Sequence, residues 1–274
     1  MRRNRWIWIA IVAALIVLAG LALDPRMTVR HYAVPLKGVT APVRLAVITD
    51  FHGCRYGEDA AELLAAVESE NPDAVLLVGD ILDDEIPYDQ SVALMKGLAA
   101  RWPCYYVTGN HEYWSQDIDN ILKIVAECGV TTLNATSATL TIRDQTLTLC
   151  GVTDPAAMTY HGMPDTAAQL RRVTQDCEGA ACTVLLAHRP EMIGEYAACG
   201  FDLVVSGHAH GGQVRLPGLL NGLYAPNQGW FPDYAGGEYH IGDTTLIVSR
   251  GLARESTRLP RVFNRPELVI VTLE

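Results

Sequence analysis

Five short apolar runs in this chain each end at a polar side chain of the kind that binds metal ions. They are rich in Val, Ile, Leu and Tyr and are followed by Gly or a polar residue, which predicts buried β-strands. The runs are Arg44–Thr49, Ala74–Val78, Tyr105–Thr108, Thr183–Ala187 and Leu203–Val205. Because ligands in open α/β sheets bind outside the carboxyl ends of the strands, we expect all five ends to meet at one place.

The side chains that follow these runs form one set of oxygen and nitrogen donors. Asp50 and His52 are one residue apart, so both point the same way at the end of an extended strand. Asp80 has two carboxylate oxygens and can bridge two ions about 3.5–4 Å apart. The other donors are Asn110, His188, His208 and His210. Without thiolates, the set fits two divalent ions such as Mn, Fe or Zn and does not fit a structural zinc finger.

Chance placement explains any one of these histidines, but it does not explain the whole set. Five of the eight histidines fall within the five motifs, and every motif follows an apolar run. Three motifs also carry a glycine beside the polar residue, which permits close backbone approach. The pattern therefore predicts a two-metal hydrolytic site.

The spacing of the remaining elements predicts an α/β fold. Helices are expected at 58–69, 91–100, 116–127 and 166–177. A hairpin is expected from 139–142 and 147–150. Strands at 238–241, 245–249 and 268–273 are expected in a second sheet packed on the first.

The first residues predict a membrane segment. Trp6–Leu23 carries no charge and, at ~1.5 Å per residue, nearly crosses a hydrocarbon core of ~30 Å. An uncleaved anchor is favoured over a cleaved signal sequence, because the cleavage site is poor and the apolar run is long. We thus divide the chain into an anchor or signal sequence at 1–23, a linker at 24–43 and a catalytic domain at 44–274.

Charge placement informs the expected location and partners. Basic residues lie on both sides of the apolar segment, with a slight excess before it, which favours an extracytoplasmic catalytic domain on a single-pass membrane protein. The net charge of -10 disfavours a nucleic-acid partner, because an acidic surface repels the phosphate backbone. The seven cysteines are expected to be small buried hydrophobes, although Cys177 and Cys182 could pair in an exported domain.

The motif order Asp-x-His, Gly-Asp, Gly-Asn-His-Glu, His and Gly-His-x-His resembles that of the calcineurin-like metallophosphoesterase family over residues 44–274. The resemblance implies a four-layer sandwich, with two mixed β-sheets flanked by helices. It implies one metal held by Asp50, His52, Asp80 and His210. It implies a second metal held by Asp80, Asn110, His188 and His208, with Asp80 bridging the two ions.

The same resemblance gives His111 a catalytic role beside the metals. It would contact the phosphoryl group and help protonate the leaving oxygen, which suits an imidazole because its pKa lies near neutrality. Glu112 would either orient His111 or cap the following helix. Two ions would lower the pKa of a shared water, so that a bridging hydroxide attacks the phosphorus in line.

Longer strings narrow the resemblance to a subgroup. Ser206–Gln213 and Ser249–Leu252 resemble membrane-anchored or exported bacterial phosphoesterases, with Ala209 where Thr is common. We expect a monomeric phosphodiesterase whose phosphoester substrate could be lipid-linked. The alternatives are a pyrophosphohydrolase of a nucleotide-linked glycolipid (UDP-diacylglucosamine type) and a non-catalytic, metal-dependent scaffold.

Several residues near the motifs keep two interpretations. Arg189 either binds phosphate or lies on the surface, and Arg250 and Arg254 could close over the substrate. Asp83 and Asp84 are expected to support the ligands by hydrogen bonds. The aromatic and aliphatic side chains of residues 218–237 could contact a lipid surface or pack in the core.

Overall fold

Strands and helices alternate along the chain in a computed structural model that describes residues 2–254 and 260–274. Met1, in the predicted anchor, and residues 255–259, in the predicted catalytic domain, lie outside the described residues. The helices are α1 (Arg2–Ala22), α2 (Ala61–Glu70), α3 (Asp89–Ala99), α4 (Asn110–Trp114), α5 (Ile118–Glu127), α6 (Ala156–His161), α7 (Thr166–Gln175) and α8 (Ile193–Ala198). The strands are β1 (Thr28–Val34), β2 (Val43–Ile48), β3 (Ala74–Val78), β4 (Cys104–Val107), β5 (Thr131–Thr132), β6 (Thr136–Ile142), β7 (Gln145–Gly151), β8 (Thr183–Leu186), β9 (Leu203–Ser206), β10 (Tyr224–Ala225), β11 (Gly229–Trp230), β12 (Gly237–Ile241), β13 (Thr244–Val248) and β14 (Glu267–Leu273).

Two mixed six-stranded sheets form the centre of the fold. The first has the order β1-β14-β2-β3-β4-β5, and the second has the order β12-β13-β9-β8-β7-β6. In the first sheet, β2, β3, β4 and β5 run parallel, while β14 runs antiparallel to β2. In the second, β7, β8, β9 and β13 run parallel. The five apolar runs that end in metal-type residues all lie in these parallel regions.

Both faces of the inner strands of each sheet are buried, which explains the continuous apolar runs. Along β2, Leu45 and Val47 face the second sheet, while Ala46 and Ile48 face the helices. The outer face of the first sheet packs against α2, α3 and α5, and that of the second packs against α7 and α8. The predicted four-layer α/β sandwich of two mixed sheets is therefore confirmed.

The two ends of the domain combine in one sheet. The last strand, β14, lies in the first sheet between β1 and β2, whereas the sequence favoured the second. Its residues Leu268–Val271 are fully buried and suit an internal strand. The expected linker at 24–43 contains β1, which pairs in parallel with β14 from Thr28 opposite Glu267. Thus the N-terminal segment joins the sheet directly after a short connection from α1.

The contacts of two side chains in the second half of the chain, Cys177 and Arg250, differ from expectation. The thiol close to Cys177 is that of Cys150, with the two sulfur atoms 3.2 Å apart, rather than that of Cys182. Arg250 does not extend over a substrate; it is buried against Glu267, with its Nε 2.5 Å from Oε2. The Glu267 carboxylate also accepts the backbone N–H of Arg250 at 2.8 Å. The Arg250 guanidinium therefore lies inside the domain as one half of a buried ion pair.

Replacing Glu267 by Gln should lower the free energy of unfolding by about 3–5 kcal/mol, because the buried Arg250 guanidinium loses its counter-charge. Urea-induced unfolding measures the change. As a control, Glu68→Gln removes an exposed pair with Arg101 (3.6 Å) and should cost less than about 1 kcal/mol. Equal losses for the two variants would contradict a structural role for the buried pair.

Candidate metal centre

The metal-type side chains gather where parallel strands of the two sheets end. In chain order they are Asp50 and His52 after β2, Asp80 after β3, Asn110 after β4, His188 after β8, and His208 and His210 after β9. All are buried, with at most 8% of any residue exposed. The two sheets therefore bring seven donor residues, separated by up to 160 positions in sequence, to one edge of the sandwich.

Asp80 lies in two overlapping groups of possible ligands. The donor atoms of Asp50, His52, Asp80 and His210 lie within 4.8 Å of one another, as do those of Asp80, His188 and His208. The Oδ2 atom of Asp80 is 3.1 Å from Nε2 of His188 and 3.7 Å from Nε2 of His52. One carboxylate oxygen thus faces a histidine from each group, which is the arrangement that a bridging ligand requires.

Hydrogen bonds on the far side of two rings fix which nitrogen faces the centre. Nδ1 of His52 lies 2.7 Å from the Asp83 carboxylate, and Nδ1 of His188 lies 2.8 Å from the carbonyl oxygen of Val78. Both acceptors require a proton on Nδ1, so Nε2 is the nitrogen that faces the centre and that would bind a metal through its lone pair. Asp83 therefore supports a ligand, as expected from its position in sequence.

Several buried polar atoms in this cluster have no hydrogen-bond partner among the described residues. They are His52 Nε2, Asp80 Oδ2, Asn110 Oδ1, His188 Nε2 and His210 Nδ1. Buried polar atoms are nearly always satisfied, so a concentration of unsatisfied ones indicates a missing ligand. Imidazole nitrogens with carboxylate and amide oxygens fit divalent transition metals. The residues present therefore fit two divalent ions, and Asn110 fits as the amide donor.

The electrostatics of the cluster also favour bound cations. Burial raises the pKa of Asp50, and the neighbouring Asp80 carboxylate raises it further. Burial also raises the pKa of Asp80, but the charges of His188 and His111 outweigh this and hold it well below its usual range. Burial keeps the pKa of His208 and His210 well below the usual value, so both rings are neutral and able to bind metal. Cations would relieve the repulsion between the two carboxylates.

Five of the seven predicted ligands lie on unusual backbone. The φ angles of Asp50, His52, Asp80, His208 and His210 are 48°, 49°, 53°, 64° and 47°. This left-handed region costs a residue with a side chain roughly 1–2 kcal/mol. The strain turns each side chain sharply at the end of its strand, which is typical of a pre-organised functional site.

Two motif glycines provide the space that the carboxylates occupy. A Cβ added at Gly207 would lie 2.5 Å from an Asp50 carboxylate oxygen, and one at Gly109 would collide with Oδ1 of Asp80. Any larger residue would push a carboxylate out of position. The glycines in these motifs are therefore required for close packing, as their adjacency in sequence predicted.

His111 lies beside the ligands and reaches solvent. Its Nδ1 is 2.6 Å from Asp84 and 3.3 Å from Asp83, and its ring packs edge-on to His52. Burial lowers its pKa, but Asp80 and Asp83 outweigh burial and raise the pKa to about 10. Among the described residues, His111 groups with His52 and Asp83 and is in neither group that contains Asp80.

Glu112 caps α4 and holds the loop that carries Asp80. Its buried carboxylate accepts the backbone N–H of Gly109 at 2.8 Å, as a helix cap does. It also accepts the N–H groups of Asp80, Ile81 and Leu82 at 3.0, 2.8 and 3.1 Å. The sequence alternatives were that Glu112 orients His111 or caps the following helix; the structure shows it capping α4, the helix that contains it, and holding the backbone of Asp80.

A polar network behind His208 was missed by sequence reasoning. Arg189 is buried rather than on the surface, and its guanidinium pairs with Asp154, with Nη2 3.0 Å from Oδ1. Asn227 places its Oδ1 2.9 Å from Nε2 of His208 and also contacts Arg189. Nη1 of Arg189 lies 3.0 Å from the same Nε2, so these two contacts occupy Nε2 and leave Nδ1 as the ring nitrogen that could face a metal. The only signal in sequence was Arg189 beside His188; nothing marked Asp154 or Asn227.

Comparisons with known proteins agree with this geometry. The model of the family described as calcineurin-like phosphoesterase matches residues 43–212. The transmembrane protein with metallophosphoesterase domain of Bos taurus is 29% identical over 248 residues, which cover 85% of this chain and 53% of that protein. The metallophosphoesterase YkuE of Bacillus subtilis is 28% identical over 79% of this chain and 73% of its own length. This chain thus spans about half the length of the bovine relative.

Solved structures with the same fold include the protein TT1561 of Thermus thermophilus. That structure superposes with a TM-score of 0.54 at 14% identity, over 78% of this chain and 92% of its own. The NAD nucleotidase NadN of Haemophilus influenzae gives a TM-score of 0.52 at 14% identity, over 78% of this chain and 46% of its own. Such low identities show the fold alone. The match of the family model over more than half of the sequence shows that this chain belongs to the calcineurin-like phosphoesterase family.

Proposed function

We propose that this protein is a two-metal phosphoester hydrolase, and specifically a phosphodiesterase. The observation that carries the proposal is the unsatisfied Oδ2 of Asp80, which faces Nε2 of both His52 and His188. One ion would be held by Asp50, His52, Asp80 and His210, and the other by Asp80, Asn110, His188 and His208. When bound, the ions supply a hydroxide nucleophile near neutral pH and neutralise charge on the phosphoryl oxygens.

The chain's own residues would orient the substrate and move one proton. His111 lies at the solvent side of the ligands and can donate a proton to the leaving oxygen from its Nε2, because Nδ1 is held by Asp84. Asp83 contacts both His52 and His111 and would hold the two rings in a fixed orientation relative to each other. Burial of the ligands excludes bulk water from the centre, which strengthens each of these interactions.

A substrate panel tests the proposed reaction. Full-length protein loaded with defined divalent metals should release p-nitrophenol from bis-(p-nitrophenyl) phosphate and leave the monoester as the slower substrate. Release of nucleoside monophosphate from a UDP-diacylglucosamine-type lipid, with poor diester turnover, would instead support the pyrophosphohydrolase. No turnover of any phosphoester, together with partner binding that depends on His111, would support the scaffold.

Metal loading should also stabilise the fold. Ions that bind only the folded state add RT ln(1 + [L]/Kd), or about 2.7 kcal/mol at one hundred times Kd. We therefore expect Mn²⁺ or Zn²⁺ to raise the melting temperature of chelator-treated protein in a thermal-shift assay. The double variant His52→Ala, His188→Ala is the control and should lose this response. An equal shift in the control would place the ions elsewhere.

We further propose that α1 anchors the protein in a membrane as a single span, with the catalytic domain outside the cytoplasm. Arg5–Ala22 has a mean hydropathy of 2.2 and is almost wholly exposed. The bovine relative is named a transmembrane protein, which supports the membrane attachment. Carbonate-resistant membrane association with an intact N-terminus would support the anchor; a shortened N-terminus would identify a signal sequence. Protease accessibility in spheroplasts tests which side the domain occupies.

A further inference from the structure

An exposed apolar surface lies next to the metal centre. It comprises Leu216, Leu219, Tyr224, Trp230 and Phe231, which we call the apolar rim. Leu219, Trp230 and Phe231 are 88%, 68% and 66% exposed. Tyr224 and Trp230 face each other across the small β10–β11 hairpin, with ring centroids 5.5 Å apart. Exposed large apolar side chains this close together mark an interaction surface.

The rim segment is linked to the metal centre before its first residue and again at Asn227, within the segment. Its chain begins directly after the short helical turn at His210–Gly212, which contains a predicted ligand. Between β10 and β11, Asn227 contacts the second predicted ligand of this region, His208, at 2.9 Å. The rim segment is therefore linked to two predicted ligands and lies at the same end of the domain as the metal centre.

The proposed anchor meets the domain on this same side. The carbonyl oxygen of Ala22, the last residue of α1, accepts the N–H of Phe263 at 2.6 Å. The preceding residue, Val262, donates to Gln213 at 3.0 Å and accepts from Arg215 at 2.9 Å. A short chain of backbone hydrogen bonds thus connects the end of the apolar helix to the start of the rim.

The opposite end of the sandwich has a different character. β7 runs from Gln145 toward Gly151 and the loop that carries Asp154, so its first residues lie far from the metal centre. The turn before it, Arg143-Asp144, is exposed and charged. A membrane crossed by α1 would thus approach the apolar, ligand-bearing end of the domain and not the charged end.

We propose that the apolar rim is a membrane-contacting surface that holds the metal-bearing end of the domain against the bilayer crossed by α1. Trp and Tyr favour the interface between headgroups and acyl chains, and Leu and Phe favour the layer beneath it. A lipid surface suits the rim better than a second copy of the chain because the last residue of the proposed anchor, Ala22, is linked by backbone hydrogen bonds to the start of the rim. The inference rests on the proposed anchor, and its test separates the two.

Photo-crosslinking tests the contact in the full-length protein reconstituted in vesicles of phosphatidylethanolamine and phosphatidylglycerol. p-Benzoylphenylalanine replaces Leu219 or Trp230 in the rim, Leu15 in α1, or Asp144 in the distant turn, one position at a time. Mass spectrometry then detects lipid adducts. We expect adducts from positions 219, 230 and 15 and none from position 144.

Each other outcome has a defined meaning. Adducts at position 15 alone overturn the rim proposal and leave the anchor intact, whereas their absence at position 15 overturns the anchor. Crosslinked dimers from 219 or 230 would assign the rim to a second copy of the chain. A second measurement needs no photo-reactive residue. The fluorescence of Trp230 is obtained as the difference between the wild-type protein and Trp230→Phe, and brominated lipids should quench it. Unquenched Trp230 fluorescence would also overturn the proposal.

Discussion

Replacing Asp80 by Asn should lower turnover of a phosphodiester by more than about 10³-fold, since one change disturbs both proposed ions and several kcal/mol of transition-state stabilisation depend on them. Asn is the most informative substitution because it tolerates the left-handed backbone conformation that Asp80 adopts at a φ of 53°. The variant should therefore fold while its side chain loses the charge and one of the two bridging oxygens. Steady-state kinetics and metal content by mass spectrometry measure the two effects.

Asp243→Asn provides the matched control for that experiment. Asp243 is exposed in the turn between β12 and β13, so the same chemical change there should leave rate and metal content unchanged. An Asp80→Asn protein that keeps two ions and a near-normal rate would rule out Asp80 as the bridging ligand. Loss of metal together with loss of the cooperative unfolding transition would instead show that the carboxylate is needed for folding.

Replacing His111 by Ala should lower the rate by about 10²–10⁴-fold while the protein keeps its metals. We expect the rate to fall without loss of metal because His111 contacts Asp83 and Asp84. In the described part of the chain, it is outside both groups of possible ligands that share Asp80. If His111 protonates the leaving oxygen, the loss should be larger for alkyl esters than for p-nitrophenyl esters, whose leaving group needs no proton. Kinetics on a matched pair of diesters measure that difference.

His161→Ala is the control for a histidine loss. Its ring lies at the surface, 3.7 Å from Asp119, and it should not change either rate. An equal loss of rate for both diesters in His111→Ala would remove the proton-donor role and leave only a positioning role. A fall in metal content would mean that His111 is needed to keep the ions bound.

Much of the centre could be predicted because its residues follow strands in sequence. A buried parallel strand is recognisable from its apolar run, and its carboxyl end fixes where the next side chain lies. Thus Asp50, Asp80 and His188 could be placed at one edge before any coordinates were known. The glycine beside a ligand, as at Gly207, carried a second local signal.

Contacts that depend on distant segments could not be predicted in this way. Asp154 and Asn227 reach Arg189 and His208 from loops whose sequence has no periodicity, so only the tertiary fold brings them together. The position of β14 was also beyond sequence patterning, since an apolar strand fits either sheet. Arg250 was misjudged because its partner, Glu267, is a single charged residue at the start of an apolar strand.

The left-handed backbone at the ligands has a consequence for protein engineering. Gly at any of these positions would relieve roughly 1–2 kcal/mol of backbone strain while deleting a donor. A variant library screened only for heat resistance in a chelating buffer would therefore enrich glycine first at Asp50, His52, Asp80, His208 and His210. Directed evolution of this protein needs metal present at every round, because selection for stability alone would otherwise favour substitutions that remove the predicted metal ligands.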